Sequence, residues 1–367
     1  MNHVNCVFHH LGMPLLIWYT PLRWCQLDAS VEDEAVGMLR ISRFIRLDAH
    51  RSTGCTRKES KEMTRQQLRF YVVDVFADAP LSGNPLALVV DAQELSRATM
   101  QQIAREFNQS ETTFLLPPTR PEADWRLRSF TPTGVEVSGA GHNALGAWWW
   151  LAEAGRLALS GSRTVFQQEI GQHVLSVEVL AEQGKEGEQW RPTAIGMRQT
   201  APSFGAIHND PIKLAEALAL EAVDLAVEEF PAQVVSTGAA HLLVPLRNRE
   251  AIKRAQPDAH RLFQQLRTVD GQGCYLFSLD PVDPTAAAHT RFFNPTEGIV
   301  EDPATGTAAG PLACYLAKYG RIGSSATVMI EQGYALLRPS RIEVRLRDDE
   351  VRIFGAGVTV AEGVLRL

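Results

Sequence analysis

Three ionisable side chains sit beside turns rich in small residues: Glu111 in NQSETTF, His142 in GAGHNALGA and Asp302 in EDPATGTAAG. Two carboxyl groups and an imidazole can remove a proton from a small carbon acid and return it. Each also has an ordinary role. Glu111 suits a solvated strand end, and Asp302, before Pro303, suits a helix cap. His142 falls at a helix start, where the dipole disfavours a cation, so it is expected to be neutral and hydrogen-bonded. No Ser/His/Asp signature, phosphate-binding loop or metal-ligand cluster competes with the three. The chemistry they suit is general acid/base catalysis, with no metal and no cofactor.

Two of the three lie on a repeat. Residues 128–156 (RSFTPTGVEVSGAGHNALGAWWWLAEAGR) align with 291–321 (RFFNPTEGIVEDPATGTAAGPLACYLAKYGR) once two residues are inserted in the second copy. Ten positions then agree, among them Arg128/Arg291, Phe130/Phe293, Gly141/Gly306 and Gly155/Gly320, against roughly two or three from ordinary composition. Two copies are too few for a solenoid, so the chain is read as a duplicated domain. Each copy runs strand, Gly-rich loop, apolar helix. A helix N-terminus carries unpaired N–H groups and the positive end of the dipole, and glycine lets a ligand approach the backbone. Two such ends facing across an interdomain cleft would clamp a small carboxylate.

The elements that must position these groups are legible around them. Residues 70–76 (FYVVDVF), 86–90, 112–116 and 126–130 read as strands. Ser96 is an N-cap ahead of Met100, Ile103, Ala104 and Phe107, which recur at helical spacing. Residues 131–141 read as a loop, 143–153 as an apolar helix stopped at Gly155, and 164–197 as hairpin material. The class is α+β. Trp148, Trp149 and Trp150 are expected to be bulk against the sheet, a pocket wall being the alternative.

Composition excludes several functions. The 367 residues are 45% hydrophobic and 21% charged, enough for a large core, and net charge is −6 with no long basic run, so nucleic acid is not an expected partner. No apolar stretch is long enough to span a membrane. Residues 1–62 hold Cys6, Cys25 and Cys55 of the five cysteines and carry 8 Lys+Arg against 7 Asp+Glu, while 63–367 carries 28 against 35. The early apolar run lacks the basic lead-in and cleavage site of a signal peptide, and Glu32, Asp33 and Glu34 argue against a transit peptide. Cys6, His9, His10 and Cys25 match no zinc spacing well. Cysteines without a paired framework agree with a cytoplasmic protein.

Five segments in order, DVFADAPLSGNPLALVVDA (74–92), FNQSETTFLLPP (107–118), GAGHNALGA (139–147), TGAAHLLVPL (237–246) and EDPATGTAAG (301–310), resemble the phenazine-biosynthesis PhzF-like family. That family has the diaminopimelate epimerase-like fold. The resemblance covers about 68–367 and implies two pseudo-symmetric lobes, each a curled mixed or antiparallel sheet around a central helix, with the active site in the interlobe cleft. The lobes would be 63–200 and 201–357, with 358–367 returning to complete the first. A family chain would begin near Met63, so 1–62 is expected to be a disordered or artefactual extension.

By the same resemblance, the activity implied is a cofactor-independent isomerase that moves a proton between carbons of a dihydro-hydroxyanthranilate. Glu111 would be the catalytic acid and base. His142 and Asp302 would orient the substrate, Thr307 would add a hydroxyl, and the backbone around Gly141 and Gly306 would hold the substrate carboxylate. A homodimer acting on a small carboxylate, possessing neither metal nor cofactor, is implied. The chain departs from the family pattern at Asn143 and Ala144, where proline and threonine commonly follow the histidine, and at Ala309, where histidine is usual. Pro311 then falls near the start of the second helix, where it costs a backbone bond and is expected to kink it. The fold also hosts two-cysteine racemases, but Ala140 and Thr305 occupy those loop positions, while Cys274 and Cys314 fall elsewhere. An amino-acid epimerase is therefore the weaker alternative. A cleft that binds a metabolite or protein without chemistry is the other.

Overall fold

Strand β1 (Gln67–Val75) is β-branched and aromatic, as a sheet interior requires, and, among the described residues, runs of strands interrupted by six α-helices follow it to the C-terminus. The computed structural model describes residues 66–139, 141–184, 190–228, 230–347 and 350–367. The expected extension 1–62, its Cys6/His9/His10/Cys25 group and Ala140 of the first loop lie outside the described residues. The chain divides into two units, Met1–Glu62 and Met63–Leu367, and every described residue belongs to the second.

After β1 come β2 (Asn84–Val89), α1 (Arg97–Phe107), β3 (Thr112–Leu116), β4 (Trp125–Phe130), β5 (Glu136–Val137), α2 (His142–Glu153), β6 (Arg163–Ile170), β7 (His173–Gln183) and β8 (Trp190–Gln199). The second half holds β9 (Ser203–Ile207), α3 (Pro211–Ala217), β10 (Gln233–Ser236), β11 (Ala240–Pro245), α4 (Arg249–Arg254), α5 (Ala259–Arg267), β12 (Gly273–Ser278), β13 (Ala286–Asn294), β14 (Ile299–Asp302), α6 (Gly306–Lys318), β15 (Thr327–Gln332), β16 (Ser340–Arg347), β17 (Glu350–Gly355) and β18 (Gly357–Arg366). The class is α+β, with one mixed sheet and few helices.

The pairings repeat. In the first half β1–β2 is antiparallel, β2–β3 parallel, β3–β4 antiparallel, β4–β6 parallel, and β6–β7–β8 an antiparallel meander. The second half runs β10–β11, β11–β12, β12–β13, β13–β15 and β15–β16–β17 in the same senses. Antiparallel β8–β17 pairing joins the halves. Strand β18 pairs with β1, and β9 with β10. The apolar helices pack inside: α2 against β1, β2, β3, β7, β8 and β18, and α6 against β10, β11, β16 and β17. Nearly all of α2 is buried, as expected of a helix apolar on every side. Among the described residues no helix is long and apolar enough to cross a membrane.

Two expectations change here. The 131–141 segment contains the short strand β5, because Glu136 is drawn to β4 by a two-pronged ion pair with Arg128 at 2.7 and 2.9 Å. Arg291 grips Glu301 in the same way at 2.9 and 2.8 Å, and each arginine also lies over the phenylalanine two residues on. The repeat is therefore a duplicated Arg–Phe–Glu clamp as well as a pair of loops. Pro311 is the sixth residue of α6 and the helix is continuous through it, so the expected disruption of the helix start is corrected. The proline lies past the first turn, and its cost is the N–H that the Thr307 carbonyl would otherwise receive.

The two clamps differ in burial, which sets their worth. Arg291 and Glu301 side chains are 11% and 9% exposed, and Arg291 also donates to the Ile252 and Ala255 carbonyls at 2.8 Å. Arg128 and Glu136 are 19% and 25% exposed. Arg291→Met strands a buried carboxylate and is expected to cost about 3–5 kcal/mol in urea unfolding, with Arg128→Met costing clearly less. Equal losses would mean that burial does not govern the pair.

Candidate active site

The loop before α2 and the loop before α6 meet. A Cβ built on Gly141 would lie 3.8 Å from the Thr307 methyl, so the helix starts carrying His142 and Thr307 face one another. Gly306 is required by contact rather than by conformation, since a Cβ there would lie 2.7 Å from the Ile353 methyl and 3.1 Å from the Phe76 ring. Between the loops is a cavity of about 240 Å³, lined by Glu111, His142, Asp302, Gly141, Gly306 and Thr307 among others. The structure thus brings together every candidate named from the sequence. A larger surface depression of about 940 Å³, beside Trp149 and Trp190, contains none of them.

Glu111 immediately precedes β3, and His142 is the first residue of α2. Glu111 Oε2 and His142 Nε2 lie 3.0 Å apart, with side chains 16% and 10% exposed. The two atoms have no other partner and are poorly aligned for a hydrogen bond, so charge attraction comes first in the pairing and hydrogen bonding second. Burial works against a charge on His142, but the Glu111 carboxylate and then Asp302 outweigh it, and its pKa stands above the usual imidazole value. Against the expected neutral histidine stands a carboxylate 3.0 Å from the ring, whose attraction favours the protonated form more than the partial charge of a helix end disfavours it.

Asp302 ends β14 and is 6% exposed. Asn84 Nδ2 donates to its Oδ1 at 2.8 Å, and the Thr305 hydroxyl donates to its Oδ2. Burial is the largest influence and raises its pKa to about 6, against the lowering effects of His142 and these two donors. Asp302 therefore exchanges a proton near neutrality. Gln332 locks the loop, its amide donating to the Asp302 carbonyl at 2.6 Å and its oxygen accepting from Thr305 N–H at 3.1 Å.

The anion-binding ends differ from expectation on one side. In α6 the first helical bonds come from Ala308 and Ala309 N–H to the Thr305 carbonyl, leaving the Gly306 and Thr307 N–H groups ahead of the ladder. In the first loop the Gly141 N–H donates to Asn143 Oδ1 at 2.8 Å. Asn143 also donates to Ser129 Oγ and the Gly139 carbonyl, so this departure from the family pattern staples its own loop. The Gly141 amide is therefore occupied by Asn143, while the first α2 bond comes only from the Leu145 N–H, so the His142 N–H beside it stands ahead of the ladder. No Lys or Arg is among the residues lining the cavity, so positive charge there can come only from a protonated His142 and from backbone N–H groups among the described residues.

One buried partner of Asp302 and two residues lining the cavity escaped the sequence reading. Asn84 is fully buried and reaches Asp302 from 218 positions away, a partnership no local pattern announces. His241 lies in TGAAHLLVPL, where a lone histidine in an apolar strand was the available signal. Glu297 sits in the β13–β14 turn and faces the cavity although the residue as a whole is exposed. Partial burial and the charge of Glu111 raise its pKa. The tryptophans are core: Trp148 is fully buried and donates to Gln168 at 2.9 Å, and Trp150 lies against Tyr71. Trp149 borders the other depression, and none of the three walls this cavity. Cys274 and Cys314 are buried free thiols whose pKa burial pushes upward, the latter to about 11. Neither lines the cavity, and Thr305 is the N-cap of α6.

Comparison with known proteins agrees with the geometry. The family model described as phenazine biosynthesis-like protein matches residues 73–363. The trans-2,3-dihydro-3-hydroxyanthranilate isomerase of Pseudomonas chlororaphis is 34% identical over 303 residues, covering 81% of this chain and 99% of that enzyme. The crystal structure of a Bacillus anthracis phenazine biosynthesis protein of the PhzF family superimposes with a TM-score of 0.73 at 29% identity, covering 82% of this chain and 99% of the other. A hydroxyproline epimerase from Agrobacterium vitis shares the fold at 12% identity and a TM-score of 0.53, over 82% and 93% of the two chains.

Proposed function

Since the chain belongs to the phenazine biosynthesis-like family and is an isomerase, we propose that it moves a proton between carbons of a small, cyclic, carboxylate-bearing metabolite of the dihydro-hydroxyanthranilate kind. The observation that carries this reading is the Glu111–His142 pair, held at 3.0 Å in a cavity shared with Asp302. Glu111 takes a proton from one carbon as that C–H bond breaks. The bonding electrons pass into the conjugated system, and the same carboxyl group returns the proton to another carbon. His142, whose protonated form the Glu111 charge favours, steadies the Glu111 carboxylate before abstraction. Asp302, with a pKa near 6, donates to or accepts from a polar group of the substrate.

The substrate carboxylate is taken to dock at the Gly306 and Thr307 N–H groups, where the α6 dipole adds to the hydrogen bonds. We place the enzyme in the cytoplasm as a homodimer; the free Cys274 and Cys314 suit a reducing compartment. The decisive experiment incubates the protein with trans-2,3-dihydro-3-hydroxyanthranilate in deuterated water and follows product formation and carbon-bound deuterium by NMR. Binding with neither turnover nor exchange would favour a non-catalytic cleft. We divide the working body at Met63, because the family match begins at residue 73 and Met63–Leu367 forms one unit. A chain starting at Met63 is expected to fold and turn over within about twofold of the full chain. Failure to fold would make 1–62 part of the domain.

A further inference from the structure

His241 has no role in the proton transfer above, yet its surroundings decide what it does. It stands on β11, 3% exposed, with its ring edge-on to Phe292 at 4.9 Å between centroids. Its Nε2 lies 3.3 Å from the Thr307 hydroxyl oxygen. Its Nδ1 is buried against Gly273 and has no partner. Burial lowers its pKa to about 4, so at neutral pH the ring is uncharged and carries one N–H.

That proton has two possible seats. On Nδ1 it would be a buried donor with no acceptor in reach, the kind of orphan that folded proteins rarely keep. On Nε2 it is donated to Thr307, and Nδ1 keeps only an unused lone pair, which is the cheaper defect. The Nε2–H tautomer therefore prevails. Thr307 Oγ1 then accepts from His241, so its own proton must point away from the ring. Thr307 is partly exposed, lines the cavity, and has no other side-chain hydrogen bond.

We propose that His241 is a positioning residue that turns the Thr307 hydroxyl proton into the cavity, making Thr307 a fixed donor to the anionic group of the substrate. The proposal rests on the cavity being the substrate site. It adds a third donor beside the Gly306 and Thr307 N–H groups, in a cavity lined by neither Lys nor Arg. Fixing the hydroxyl in advance spares the cost of reorienting it when substrate enters.

Two measurements on the full chain test it. In protein labelled with ¹⁵N-histidine, long-range ¹H–¹⁵N correlation at pH 7.5, assigned by comparison with His241→Phe, is expected to show His241 as the Nε2–H tautomer. An Nδ1–H tautomer or an imidazolium overturns the proposal. Calorimetric binding of 3-hydroxyanthranilate, an aromatic carboxylate that cannot isomerise, is expected to weaken about tenfold in His241→Phe and in Thr307→Val. The double variant should lose no more than either single one, and His241→Gln, which keeps an N–H donor, should recover most of the affinity. Additive losses, or full affinity in His241→Phe, overturn the positioning role. Failure of the unsubstituted protein to bind the probe overturns the site reading and the donor role with it, whichever tautomer is found.

Discussion

Glu111→Gln is expected to lower turnover by about 10⁴-fold, the upper end for loss of a general acid/base, because here one group both takes and returns the proton. Glutamine keeps the shape and one oxygen but cannot accept a proton from carbon. Affinity for 3-hydroxyanthranilate should stay within about threefold, since the carboxylate is held elsewhere by the α6 N–H groups. Carbon-bound deuterium should vanish along with turnover. Glu111→Asp, which withdraws the carboxylate by one methylene from its 3.0 Å approach to His142, should fall between the two. A Glu111→Gln enzyme retaining a tenth of the activity would remove this residue from the mechanism. The variant also takes from His142 the main charge that keeps its pKa high, so its imidazole should titrate lower, which histidine NMR reads directly.

Asp302→Asn is expected to abolish most turnover while making the fold more stable above neutral pH. The folded-state pKa of Asp302, about 6, lies above its ordinary 3.8, so the folded protein holds the proton more tightly than the unfolded chain does. The associated stability is fully present below about pH 4 and is lost as pH rises through 6. Ionising a group buried this deeply costs roughly 3 kcal/mol by pH 8, from a shift of about two units. Asparagine cannot ionise, and its oxygen can still accept from Asn84. The variant should therefore gain roughly 2–3 kcal/mol on the natural protein between pH 4 and pH 8, in urea unfolding followed across that window. His142 acts in the same direction at higher pH, since its raised pKa gives stability that is present below 6.5 and lost above its folded value. Groups with lowered values, such as Glu169 and Glu331, act below pH 4.5 and cancel in the comparison. A stability difference independent of pH would show that Asp302 is ionised throughout.

Much of the framework was legible because it is local. Ser96 caps α1 through the Thr99 N–H, as its place before a helical pattern implies. The FYVVDVF strand, the apolar α2 and the paired loops could all be read from residue type and spacing, and the repeat tied 128–156 to 291–321 without any knowledge of their contacts. The Arg–Phe–Glu clamp was half visible. Arg128/Arg291 and Phe130/Phe293 aligned, while the pairing of Glu136 with Glu301 emerged only once the ion pairs placed the insertion before them.

What stayed hidden depended on distance along the chain. Asn84 beside Asp302, Thr307 beside His241 and Gln199 beside Gly306 are partners separated by 218, 66 and 107 positions. Gly310 shows the same limit. It reads as a costly residue inside a helix, yet a side chain there would run into Gln199, whose amide donates to the Gly306 carbonyl at 2.9 Å and fixes the start of α6.

The sequence by itself determined which residue types could move a proton, that two copies of one loop-and-helix unit exist, and which family the five motifs resemble. Those follow from composition, period and order, which survive in one dimension. Only the tertiary structure decided how those groups are charged and aimed. It set His142 against Glu111 so that the imidazole holds its proton more tightly, buried Asp302 until its proton leaves near pH 6, and spent the Gly141 amide on Asn143. Protonation and donor direction depend on burial and on charges a few ångströms away, and folding alone brings those together.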